Sequence, residues 1–92
     1  MLTLRGSLSP GSRRRYAEAT APGALSREDA EQRAFELLFE HLAVRWEIAG
    51  VPTEGQRELL GRLRLATQDE RRWVRETLRA HCAEHFPDVR AP

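Results

Sequence analysis

The 92-residue sequence contains no lysine and no asparagine, and only one cysteine, one methionine and one tyrosine. A lone cysteine excludes an internal disulfide, so the fold has to stand on packing alone. All 15 basic residues are arginine and face 14 acidic ones, which leaves a net charge of only +1 and no bulk field to draw the chain onto nucleic acid or an anionic membrane. A chain without lysine or asparagine has the composition of a GC-rich genome. That points to a bacterial or phage source and accounts for the arginines without phosphate recognition. No apolar run nears the roughly 20 residues that span a bilayer, so a small soluble protein, placed in the cytoplasm, is expected. A phosphate-cradling glycine loop, a Ser/His/Asp order, paired cysteines and an H-E-x-x-H motif are all missing. Neither an enzyme nor a cofactor is expected.

What is present reads as one small helical domain. Residues 1–25, MLTLRGSLSPGSRRRYAEATAPGAL, carry Gly, Pro, Ser and Thr throughout and no sustained helical period, and are expected to form a flexible basic arm. Ser26 can cap a helix, with Glu28 and Asp29 facing the positive end of its dipole. That helix is expected over about 26–49, stopped by Gly50, Val51 and Pro52. Thr53 with Gln56 offers a capping box for a second helix over about 54–65, and Thr67 with Glu70 a better one for a third over about 68–85. Pro87 ends the third helix, and residues 87–92 are a tail. The expected fold is therefore all-α: a three-helix bundle over residues 26–86. Gly55 has no evident reason beyond fraying at a helix start, and Gly61 suggests close helix approach.

The first helix carries most of the apolar surface. Asp29, Arg33, Glu36, Glu40 and Glu47 form a narrow polar wedge, with Phe35, Phe39, Leu42 and Trp46 on one flank and Leu37, Val44 and Ile48 on the other. So wide an arc exceeds the single stripe of a surface helix. Two short helices are expected to leave part of it open as a groove or dimer interface. A protein–protein interaction module, an adaptor or assembly subunit, is the function that follows. Its partner, or a second copy, would be held by Phe35, Phe39, Leu42, Trp46 and Trp73, since aromatic residues dominate such contacts.

Three other readings compete. Arg13, Arg14, Arg15 and Tyr16 combine cations with a stacking ring and suit a nucleic-acid-binding accessory protein. Against a helix-turn-helix, the first turn of the last helix is Gln68, Asp69, Glu70, whose carboxylates repel phosphate. His81 and His85 share one helix face and His41 lies on the apolar arc, so a tri-histidine metal site is conceivable. Histidines near a helix end are also favoured simply by its dipole. Finally, residues 1–19 are rich in Arg and Ser with no acid before Glu18, which resembles a mitochondrial presequence and gives the matrix as the alternative compartment.

Overall fold

The computed structural model describes residues 1–21, 23 and 26–92, and its elements are not all helical. In chain order they are β1 (Leu2–Leu4), α1 (Pro10–Thr20), α2 (Arg27–Leu42), β2 (Ala43–Ile48), β3 (Val51–Glu54), α3 (Gln56–Arg64) and α4 (Gln68–His85). Four helices pack with a three-stranded antiparallel sheet of order β1-β2-β3 among the described residues. This overturns the expected all-α three-helix bundle and its flexible arm. Residues 22, 24 and 25 of that arm lie outside the described residues.

The first correction concerns residues 43–54. The expected helix ends at Leu42, and the chain turns into a β-hairpin. Val44, Arg45, Trp46, Glu47 and Ile48 alternate apolar with polar, which is the period of a strand, and β-branched and aromatic side chains favour that state. Ala49 and Gly50, at φ 50° and 79°, make a two-residue turn with both positions left-handed, as a type I′ hairpin requires. The glycine taken for a helix stop is thus a hairpin turn. Pro52, opposite Glu47, is one step beyond the Ile48–Val51 pair that closes the turn. Its missing N–H therefore faces the open edge, where no ladder bond is lost and further strand pairing is discouraged.

The second correction concerns the N-terminus. Leu2 pairs with Trp46 and Thr3 with Arg45. The ladder is extended by Glu47 N–H to the Met1 carbonyl (2.8 Å) and Arg5 N–H to the Leu42 carbonyl (2.8 Å). Ser9 then caps α1 by accepting the Ser12 N–H at 3.1 Å, and Pro10 occupies the first turn, where its fixed φ suits a helix start.

The two caps read on either side hold. Ser26 accepts the Asp29 N–H (3.2 Å), and Thr67 and Glu70 form the full reciprocal box at 2.9 and 3.1 Å. Thr53 caps nothing, because it lies in β3. Gly55 is the residue before α3, and its φ of 90° is one that side chains rarely adopt, which supplies the reason that was missing. Gly61 has no neighbour within 4 Å of where a Cβ would stand, so no close helix approach explains it.

The wide apolar arc is covered from within the chain. α1 packs along α2, and Tyr16 joins Ala34, Phe35, Leu38 and Phe39 in the core. Leu59 and Leu63 come from α3, and Val74, Leu78 and Cys82 from α4. The expected C-terminal tail also takes part, since Phe86 and Val89 are buried in the same cluster. Among the described residues no helix is long and apolar enough to cross a membrane.

Candidate functional site

Four of the five expected partner anchors lie in the core. Phe35 is 1% exposed, Phe39 and Leu42 are 0%, and Trp46 is 2%, so none offers a surface to a partner. Trp46 sits on the inner face of the sheet, edge-on to Phe39 with ring centroids 5.9 Å apart. The Arg62 guanidinium lies 5.2 Å from the Trp46 ring centroid and binds Glu70 at 2.7 Å. The Thr67 backbone N–H, and after it Arg62, hold the Glu70 carboxyl below its usual range.

Trp73 is the exception. It is 44% exposed on α4 beside Met1, Ile48 and Ala49, around an open cleft of about 460 Å³ floored by Trp46. Glu47 and Asp69 stand at the rim. Met1 and Ile48 were missed as surface contributors. The signal that would have found Ile48 is the same two-residue alternation that marks β2.

The arginine arm is a folded helix with its aromatic turned inward. Tyr16 is 6% exposed and its hydroxyl donates to the Arg90 carbonyl. Arg13 binds Asp88 at 2.6 Å and lies over Phe86, 5.4 Å from its centroid, and this contact holds the Asp88 carboxyl below its usual range. Only Arg14 and Arg15 of the four expected nucleic-acid contacts are exposed. The stacking ring that reading needs is not at the surface.

Burial pushes the Tyr16 phenol from its ordinary 10.0 up to about 12, with the nearby Cys82 contributing in the same direction. Below pH 10 both states keep the proton and stability is unaffected. Between pH 10 and 12 the unfolded chain ionises first, so stability falls by roughly 2 kcal/mol as pH rises through that window. Tyr16 is the only tyrosine, so phenolate absorbance reports this one group. It is expected to appear together with loss of helical signal above pH 10. Free titration at the ordinary value in a still-folded chain would contradict its burial. The Cys82 thiol is likewise buried and pushed up, which keeps it neutral and suits packing rather than nucleophilic attack.

The histidines do not converge. The His81 and His85 rings lie tilted to one another with centroids 4.5 Å apart, and His81 Nε2 is 2.7 Å from the Arg5 carbonyl oxygen. His41 pairs instead with Ser12, its Nδ1 3.2 Å from the hydroxyl. Among the described residues no three His, Cys, Asp or Glu side chains are grouped to hold a metal ion.

Comparison with protein-family models, with curated proteins and with solved structures finds no match to this chain.

Proposed function

We propose that this chain is a protein–protein interaction module that docks a partner against Trp73 and the apolar cleft beside it. The first-helix face suggested by the sequence is occupied by the chain's own core, so the docking role moves to the junction of the hairpin with the start of α4. One observation carries the reading. A half-exposed tryptophan sits next to Met1, which is 78% exposed, beside an open cleft shared with Ile48 and Ala49. Tryptophan is over-represented among residues that dominate binding energy, and it contributes most where surrounding contacts exclude water. Arg72 beside Asp69 (3.9 Å) and Arg45 beside Glu47 (3.8 Å) supply a polar rim of both signs.

Because Trp73 stands at the surface, Trp73→Ala is expected to leave the melting curve nearly unchanged. It should weaken partner binding by about 2 kcal/mol, roughly 30-fold. The measurement compares wild type, Trp73→Ala and a control at another exposed apolar position, Leu65→Ala, as baits in host lysate treated with nuclease. Sedimentation of each purified chain tests for self-association. Proteins, or a dimer, lost only from Trp73→Ala support the reading. Equal recovery on all three baits, with equal sedimentation, removes it.

A further inference from the structure

We propose that the outer edge of β1 pairs antiparallel with the same edge of a second copy of this chain, joining the two sheets across a two-fold axis at Thr3. The inference rests on the Trp73 docking reading and names its partner.

The ladder sets which backbone groups are free. Thr3 pairs with Arg45, the Met1 carbonyl accepts the Glu47 N–H, and the Arg5 N–H donates to the Leu42 carbonyl. Met1, Thr3 and Arg5 therefore bond inward to β2, and alternation turns the N–H and C=O of Leu2 and Leu4 outward. No further strand and no other group takes those bonds among the described residues. The opposite edge of the sheet is closed by Pro52. Leu2–Leu4 carries no proline and no charge, the usual devices that keep an edge from pairing. Thr3 is exposed, and Leu2 and Leu4 are only partly buried although they pack on the core.

Symmetry and charge favour a second copy over an unrelated strand. A two-fold at Thr3 sets Leu2 of each copy opposite Leu4 of the other, and each such pair exchanges two hydrogen bonds. Thr3 then faces its own counterpart at the closer, non-hydrogen-bonded spacing, a pairing that stabilises sheets. The same register carries Arg5 of the second copy to the Met1 end of the first, where Glu47, Asp69 and Glu70 border the cleft beside Trp73. Glu70 is committed to Arg62 at 2.7 Å, but Glu47 and Asp69 meet Arg45 and Arg72 only at 3.8 and 3.9 Å. Arg5 is exposed and makes no ion pair among the described residues. An isologous interface forms that contact at both ends.

Sedimentation equilibrium of the full chain up to about 1 mM is expected to show a monomer–dimer equilibrium. Thr3→Glu stands opposite Arg45 in its own sheet, so the melt should be kept, but it sets two carboxylates face to face on the axis. It should weaken the dimer about tenfold or more, and Arg5→Glu should act in the same direction. Thr3→Cys should cross-link in a glutathione redox buffer, because a non-hydrogen-bonded pair brings Cα atoms to about 4.5 Å, within disulfide range. Glu54→Cys on the opposite edge should not, and Cys82 is buried and takes no part. A chain that stays monomeric, a dimer unmoved by Thr3→Glu, or equal cross-linking of the two cysteine variants overturns the proposal. None of these results touches the Trp73 reading, which Trp73→Ala decides in the lysate.

Discussion

Trp46→Ala is expected to unfold the protein at physiological temperature. The indole is 2% exposed, meets Phe39 edge-on and lies under the Arg62 guanidinium. Removing a buried tryptophan costs about 3–5 kcal/mol, because contacts are lost and the surroundings only partly collapse into the space. A domain of this size holds about as much in total. Trp46 also joins elements far apart in the sequence, since its backbone pairs with Leu2 on one side and Thr53 on the other. The readout is helical circular dichroism followed through a thermal melt. A cooperative transition within about 1 kcal/mol of wild type would place Trp46 outside the core and reopen it as a docking residue. The contrast with Trp73→Ala is the sharper result, because one tryptophan should govern folding and the other binding.

Removing residues 1–20 is the second change with a large effect. A flexible arm can be cut away without consequence, but this segment supplies β1, Leu2, Leu4, Leu8 and Tyr16 to the core. Without it the sheet is reduced to the β2–β3 hairpin, and two strands alone are at best marginally stable. The flank of α2 against which α1 packs would be left facing water. Arg13 and Tyr16 also hold the C-terminal segment through Asp88 and the Arg90 carbonyl, so that end should loosen too. The truncated chain is expected to lose its cooperative melt and bind a hydrophobic dye, as chains with exposed apolar surface do. A truncated chain that melts like the full one would restore the arm.

The parts of the fold legible in the sequence are those set by near neighbours. The Thr67–Glu70 box is a contact between residues three apart, and α4 begins where it was expected. Ser26 caps for the same reason. The segment Pro10–Thr20 was missed although Ser9 and Pro10 form a good helix start. Beyond that start it has one buried side chain, Tyr16, and one residue makes no apolar stripe. The same weakness hid the interaction surface. Phe35, Phe39, Leu42 and Trp46 were rightly seen as strongly apolar, but whether such residues face a partner or the chain's own core depends on what else covers them.

The Ser26 and Thr67–Glu70 caps and the part of the polar wedge that lies on α2, Asp29 to Glu40, were determined by the sequence itself, because each follows from spacings of three or four residues. The state of residues 43–54 was decided only in the tertiary structure. Val44, Trp46 and Ile48 suit a helical flank and a strand face alike. The strand is favoured because Leu2–Leu4, some 40 residues earlier, pairs with it and seats Trp46 against Phe39. That pairing also turns the supposed arm into structure and covers the arc that had appeared to need a partner. Hydrogen bonds between strands as distant as β1 and β2 leave no mark in local periodicity, which is why that pairing becomes visible only in the assembled fold.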